Sequence, residues 1–356
     1  MVDAALAAAG RPDLTVVIVT HQSRRHVDGL LASLPAAVGA LDSELVVVDN
    51  ASTDGTVERL ATWAMPMQLV ELPNNAGFAA SANLGASLGT GRFVAFVNPD
   101  MVLGVGCLAA LVDACERRAG AGLVGGRTVR PDGTLEPSSC WGRPSAWSTF
   151  CFATGLSTLL PGRRLFDPES LGRWRRDTER EVGVVTGCLL AVARPVWDSL
   201  AGFDERFWMF GEDVDLSMRA RAAGYRPRIT PAAQAVHHVG GSASDDLGAR
   251  RCQLAAARIT LLRSHWRPPA STALVALFRL GVAWRAASSG ALASEPAPLD
   301  VSAASRQGWV EAWRQRRSWW NGYRAGVSAG ARRQIAPAAP SRAKSWIPAR
   351  GNTRSS

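Results

Sequence analysis

No two cysteines in this 356-residue chain are spaced as Cys-x-x-Cys. Cys107, Cys115, Cys140, Cys151, Cys188 and Cys252 are scattered without zinc-like spacing, which argues against a disulfide framework and a structural zinc site. A reducing cytosol is therefore the expected compartment. Long apolar runs are also missing: nothing reaches the roughly 20 uninterrupted residues that a spanning helix needs. The best stretch, 268–283, is cut by Arg279. The opening segment carries Asp3, has no cationic start and is not expected to act as a signal peptide. Lysine is nearly absent, with Lys344 alone among arginines, a mark of a GC-rich genome with little chemical meaning. Internal repeats are not visible.

What is present is an uneven charge. The net +10 and pI near 10.4 suggest a polyanionic partner, either nucleic acid or an anionic membrane. Residues 1–262 hold 25 basic and 27 acidic side chains, whereas 263–356 hold 15 and 3. The body is slightly acidic, and the tail carries the whole excess.

The body alternates strand and helix patterns. Leu14 to Thr20, Glu44 to Asp49, Gln68 to Leu72 and Phe93 to Val97 are short runs that read as strands, the β-branched ones as buried parallel strands. Between them, Arg24 to Leu34 shows helical spacing closed by Pro35, and Thr56 to Trp63 and Ala79 to Leu88 read as further helices. Short connections predict an α/β fold with a doubly wound, mostly parallel sheet. Beyond it, Val102 to Arg118 is expected as a helix, and Arg130 to Gly172, rich in Pro, Gly, Ser and Arg, as long loops. Asp213 to Ala223 and Leu254 to Leu262 are expected as the last helices of the body.

In such a sheet, binding groups gather at the carboxyl ends of the strands. Thr20-His21, Asp49-Asn50 and Asn98-Pro99-Asp100 occupy those ends. Asp49 accepts hydrogen bonds either from a base or ribose or from its own turn. Asp100 meets either a divalent cation with a diphosphate or merely ends a strand. Glu212, Asp213 and Asp215 follow the aromatic cluster Phe207 to Phe210. Capping and the helix dipole favour carboxylates there, yet three in four positions exceed what capping requires, and one is a candidate general base. His237-His238, at the end of an expected strand, is of chemical interest only if it reaches Asp100.

Taken in order, Val17-Ile-Val-Thr-His21, Val48-Asp-Asn-Ala-Ser-Thr-Asp-Gly-Thr56, Asn74 to Asn83, Asn98-Pro-Asp100 and Gly202 to Leu216 resemble family 2 glycosyltransferases. The resemblance continues to His237-His238-Val-Gly-Gly-Ser242 and covers roughly residues 14–262. Each motif alone is weak; five in order are strong. The branch resembled is that of rhamnosyltransferases using dTDP-L-rhamnose on polyprenyl-diphospho-N-acetylglucosamine. The resemblance implies a GT-A fold, with Thr20, His21 and Asp49 at the nucleotide base and Asn75 and Asn83 near the nucleotide. It implies Asp100 as the second acid of the metal motif with Asn98 at its first position, His237 completing the shell of Mg²⁺ or Mn²⁺, Asp213 as catalytic base supported by Glu212, and Thr186-Gly187 on the acceptor side. Asn98 stands where many members have aspartate, and Ser81-Ala82-Asn83 lacks the arginine of the usual Ala-Arg-Asn, so phosphate charge would rest on the metal.

The expected organisation is an extension over 1–13, the GT-A domain over 14–262, basic Trp/Arg-rich amphipathic helices over 263–325 and a disordered tail over 326–356. Leu274, Leu277, Phe278, Gly281 and Trp284 share one helical face, with Arg279 and Arg285 expected to reach outward. Trp309, Trp313 and Trp320 alternate with Arg306, Arg314, Arg316, Arg317 and Arg324. Such helices either lie in an anionic membrane interface or pack on the body. The expected enzyme is an inverting transferase, cytoplasmic and peripheral on the inner face of the cell membrane, with a nucleotide-sugar donor, dTDP-rhamnose favoured, a lipid-linked or glycan acceptor and no nucleic-acid partner. Another donor, UDP-galactofuranose or UDP-N-acetylglucosamine, and a non-catalytic protein binding membrane or nucleic acid through its tail are the alternatives.

Overall fold

The computed structural model describes residues 10–238, 247–291 and 301–323. Expectations for Val239 to Ser242, Arg324, most of the N-terminal extension, the 326–356 tail and the Arg306 side chain lie outside the described residues. The strands are β1 (Leu14–Thr20), β2 (Ser43–Asp49), β3 (Gln68–Glu71), β4 (Phe93–Val97), β5 (Met101–Leu103), β6 (Leu123–Val129), β7 (Cys140–Trp141), β8 (Arg180–Glu181), β9 (Val184–Val185), β10 (Leu189–Ala193) and β11 (Arg228–His237). The helices are α1 (Val27–Val38), α2 (Thr56–Ala61), α3 (Phe78–Leu88), α4 (Cys107–Arg117), α5 (Ala146–Ala153), α6 (Leu156–Leu159), α7 (Arg194–Ser199), α8 (Glu212–Ala222), α9 (Leu247–His265), α10 (Ala270–Ala291), α11 (Val301–Arg314) and α12 (Arg316–Trp319).

The main sheet runs β3-β2-β1-β4-β10-β6-β11-β5, with β8 beside β11. Pairs among β3, β2, β1 and β4 are parallel, as is β6 with β11, while β10 lies antiparallel between β4 and β6. β5 and β8 also run antiparallel to β11, so the sheet is mixed, parallel throughout β3-β2-β1-β4 and over most of its paired residues. The apolar runs of β1, β2 and β4 are buried on both faces, which is why they read as continuous rather than alternating. Because β1 is flanked by β2 on one side and β4 on the other, the chain reverses direction across the sheet there, and the carboxyl ends of β1 and β4 open a crevice.

Several expectations change. Pro35 does not close α1, which continues to Val38. One lost backbone bond costs less than leaving Leu34, Ala37 and Val38 exposed, and all three are buried. The helix expected from Val102 is strand β5, because Met101 to Leu103 finds an antiparallel partner in Ala235 to His237; α4 begins only at Cys107. The supposed loops of 130–172 contain α5, whose start is a capping box in which Ser145 Oγ accepts from the Ser148 N–H and Ser148 Oγ accepts from the Ser145 N–H.

The boundary expected at 262/263 falls inside α9. Cys252, Ile259 and Leu262 of α9 join Leu274, Phe278 and Val282 of α10, Ala312 of α11 and Trp319 of α12 in one apolar cluster. Arg285 turns inward rather than outward. It is 7% exposed, its guanidinium lies 3.8 Å from the Phe152 ring centroid, and it donates to the carbonyl of Phe152. Arg279 stacks on Trp320 at 4.1 Å. By length and composition Ala270–Ser289 suffices to cross a membrane, but close to half of it is buried against neighbouring helices.

Candidate active site

At the β1 and β2 ends, the side chains tie the loops together. Asp49 is buried; its carboxylate accepts from Thr20 Oγ1 at 2.7 Å, from the Ser52 N–H at 2.8 Å and from Ser52 Oγ at 2.6 Å. His21, half-buried, places Nδ1 2.8 Å from the Asn50 carbonyl. Asn50 accepts from the Ala76 N–H and Ser81 Oγ and donates to the Gly77 carbonyl, so it fastens the 74–83 motif to the end of β2. Asn75 accepts from the Gly77 N–H in the same turn. Thr20, His21, Asp49, Asn75 and Asn83 do not line the cleft described below, and Asn83 points to a different loop. Its amide donates to the Phe203 carbonyl and Glu205 and accepts from the Phe203 N–H, so it braces the 202–205 loop.

Gly77 shows why that motif needs glycine. Its φ is +83°, and a Cβ there would lie 2.2 Å from the Trp208 carbonyl oxygen. The Phe78 N–H donates to that same carbonyl at 2.9 Å. The first half of the sheet is thus docked onto the aromatic loop that precedes α8.

Beside this contact lies a cleft of about 190 Å³, into which β4, β11 and α8 bring Asn98, Asp100, His237, Glu212 and Asp213, with Thr186 and Gly187 from the turn before β10. Asp100 and His237 are both buried, with Asp100 Oδ1 3.4 Å from His237 Nε2. Among the described residues that carboxylate oxygen has no partner besides this long contact with the imidazole. On the other side of the ring, Nδ1 lies 3.5 Å from Glu136 Oε2. Burial alone pushes the imidazole down, but the hydrogen bonding and charge of Asp100 and Glu136 outweigh it and raise His237 to about 9. Burial likewise pushes Glu136 up, yet hydrogen bonds from His237 and Ser138 bring it down to about 2.

A buried carboxylate oxygen whose one contact is a long pair with an imidazole nitrogen fits a hard-to-borderline divalent cation that takes the place of the imidazole proton and draws its other oxygens from phosphate and water. Glu136 would then fix the ring from behind, as carboxylates do for metal-bound histidines. Among the described residues, no group of three or more His, Cys, Asp or Glu is placed to hold a metal through protein ligands alone.

Helix α8 begins at Gly211, in the left-handed region at φ +91°. Asp213 Oδ1 accepts from the Val214 N–H at 2.7 Å and Oδ2 from the Gly187 N–H at 3.3 Å. Loss of water raises this carboxyl to about 6, with the two N–H groups opposing the rise. Glu212 is buried, its Oε2 is unpartnered, and burial followed by the charge of Asp213 holds it well above the usual carboxylate range. Neighbouring carboxyls pushed to different degrees separate a proton acceptor from a protonated companion. The third carboxylate, Asp215, is structural: it accepts from Arg219 at 2.6 Å and pairs with His265 of α9 at 2.8 Å.

The motifs did not point to several of the cleft's residues. Ser138 and Trp141 come from the segment expected as loops, and Arg250 of α9 lies with its guanidinium 5.7 Å from the Phe210 ring centroid. Glu136 caps the short turn at Pro137–Ser139, a local Glu-Pro-Ser-Ser signal that suggests a cap but not its partner His237. Tyr323 also went unnoticed. Its hydroxyl donates to the Met209 carbonyl, and its ring packs edge-on against Phe207.

The sequence profile described as Glycosyl transferase family 2 matches residues 15–171. Over 251 residues the chain is 32% identical to the N-acetylglucosaminyl-diphospho-decaprenol L-rhamnosyltransferase of Mycobacterium tuberculosis, covering 65% of this chain and 78% of that one. The chain belongs to glycosyltransferase family 2. This glycosyltransferase is also 29% identical to the O-antigen biosynthesis protein RfbC of Myxococcus xanthus over 67% of its own length and 18% of the relative's. Among solved structures it resembles the mannosyltransferase PcManGT of Pyrobaculum calidifontis, determined with GDP-Man and Mn²⁺. That likeness has a TM-score of 0.51 at 20% identity and covers 86% and 87% of the two chains. The fold is GT-A.

Proposed function

We propose that this glycosyltransferase moves L-rhamnose from dTDP-L-rhamnose, with inversion, to a polyprenyl-diphospho-linked N-acetylglucosamine in cell-wall glycan synthesis. The 32% identical mycobacterial relative, named an N-acetylglucosaminyl-diphospho-decaprenol L-rhamnosyltransferase, supports the sugar and the acceptor, and the dTDP carrier follows from the motif resemblance. Asp213 carries the chemistry: a carboxyl raised to about 6 in a cleft that also contains Asp100 and His237.

In this reading Asp213 takes the proton from the acceptor hydroxyl as its oxygen bonds to the anomeric carbon. The bond from that carbon to the diphosphate breaks, and its electron pair leaves on the diphosphate oxygen. Attack from the face opposite the leaving group inverts the centre. Asp100 and His237 would hold Mg²⁺ or Mn²⁺, which when bound offsets the charge developing on the diphosphate. Glu212, kept protonated, sustains the low-dielectric setting that makes Asp213 basic. Thr20, His21, Asp49 and Asn75 frame the nucleotide side, Asn98 lies beside Asp100, and Thr186 and Gly187 shape the acceptor side. The work is done in the cytoplasm at the membrane surface, where a lipid-linked acceptor resides.

The test pairs thermal shift with product analysis. With Mn²⁺ present, dTDP should raise the melting temperature and UDP and GDP should not. dTDP-rhamnose should yield a product whose anomeric configuration is opposite to the donor's; a product of retained configuration would overturn the inverting step. Stabilisation by UDP and consumption of a UDP-sugar, with dTDP inert, would overturn the donor assignment.

A further inference from the structure

Among the described residues eight large apolar side chains are exposed, and six of them fall in two short stretches, 147–165 and 280–284. These are Trp147, Phe150, Leu159, Leu165, Leu280 and Trp284, with Leu159 72%, Leu280 66% and Leu165 62% exposed. They form one surface. The Trp147 and Phe150 rings stack at 5.3 Å, and the Trp147 indole N–H donates to the Leu165 carbonyl, joining α5 to the loop after α6. Trp284 of α10 lies against Gly155, where a Cβ would come within 2.9 Å of its ring. Leu280 stands one turn before Trp284, away from the buried stripe of Leu274, Phe278 and Val282.

The charge on this surface has one sign. No carboxylate occurs between Glu136 and Asp167, while Arg163 and Arg164 are exposed next to Leu165. Helix α10 contains no carboxylate either. The flanking acids are engaged, Asp167 with the Gly162 N–H and Glu169 with Arg258. By contrast, the tryptophans of 309–320, for which lipid contact is one of two expected placements, pack partly or wholly inside the helical cluster.

We propose that the outer face of α5, α6 and α10 is the docking surface for an anionic lipid bilayer. A contiguous apolar patch of this kind is rare on a freely soluble monomer. Indole rings suit the headgroup level, and that of Trp147 can enter it with its N–H already bonded. The arginines match anionic headgroups. A two-fold pairing of two copies would instead bring the same net-positive patch of each copy together, which like charges oppose. The purpose of docking rests on the lipid-linked acceptor proposed above; the surface itself does not.

Flotation of the full-length protein with phosphatidylcholine vesicles, with and without phosphatidylglycerol, tests this. The wild type should float with the anionic vesicles. The Leu159→Ser/Leu165→Ser variant should bind about tenfold less, and Arg163→Glu/Arg164→Glu should lose the preference for phosphatidylglycerol, both with unchanged circular dichroism. Both variants should still transfer sugar to a water-soluble acceptor analogue, since neither touches the cleft. Undiminished flotation of both variants, or no flotation of the wild type, would overturn the proposal. So would a dimer in solution that these variants dissociate while vesicle binding is absent. Failure of transfer to every acceptor would sink the functional reading and leave the flotation result standing.

Discussion

Replacing Asp213 by asparagine should stop the chemistry and stabilise the fold at the same time. In the native protein this carboxyl is raised from 3.8 to about 6 by burial, so the folded state binds its proton more tightly than the unfolded chain does. Its contribution is favourable below about pH 4 and is lost as pH rises toward 6. Above pH 6 the ionised group costs the folded state about 3 kcal/mol, an upper bound because the side chain reaches cleft water. Asparagine keeps an oxygen for the Val214 or Gly187 N–H and removes the charge. Unfolding in urea should therefore show Asp213→Asn to be more stable than wild type by about 1–3 kcal/mol at pH 7.5 and equal to it at pH 4. Transfer should fall by about 10²–10⁴-fold, the usual worth of a general base. In the wild type, kcat/KM should rise with pH and level off above about 6, since the base must be ionised. A gain in stability that is the same at both pH values, or transfer within tenfold of wild type, would refute the argument.

Two further outcomes follow from the geometry. Asp100→Asn and His237→Ala should each abolish Mn²⁺ binding measured by calorimetry in the presence of the nucleoside diphosphate, while Glu136→Gln should weaken it by about 10–100-fold because the ring loses its support; Mn²⁺ affinity unaltered in all three would remove the metal assignment. Gly77→Ala should cost more than about 2 kcal/mol and lower transfer, since its Cβ meets the Trp208 carbonyl and its φ of +83° disfavours any side chain; a melting temperature within a degree of wild type would contradict this.

Much of the parallel half was legible because its signals are local. The runs of β1, β2 and β4 announce themselves as buried strands, and the polar residues following them fall at strand ends whatever surrounds them. Asp213 and Glu212 were visible as an excess of carboxylates at a helix start. What was misread depended on distant partners. Val102 became a strand residue only because β11 lay alongside, and the bonds of Asn83 to Phe203, 120 positions away, had no local signal. Arg285 follows an apolar helical stripe in sequence and is expected to reach outward, yet Phe152, Trp309 and the Thr158 hydroxyl offer its guanidinium a buried seat.

By itself the sequence determined the alternation of elements, the order of the motifs and the family, because periodicity and short motifs are carried by neighbours along the chain. Only the tertiary structure decided that Glu136 backs His237, that Asp215 serves as an anchor for α9 rather than a third acid, and that Trp309, Trp313, Trp319 and Trp320 pack inward while α5, α6 and α10 hold the exposed apolar face. Those assignments depend on burial and on long-range pairing, which set the cost of a charge or an exposed ring, and neither quantity exists until the chain has folded.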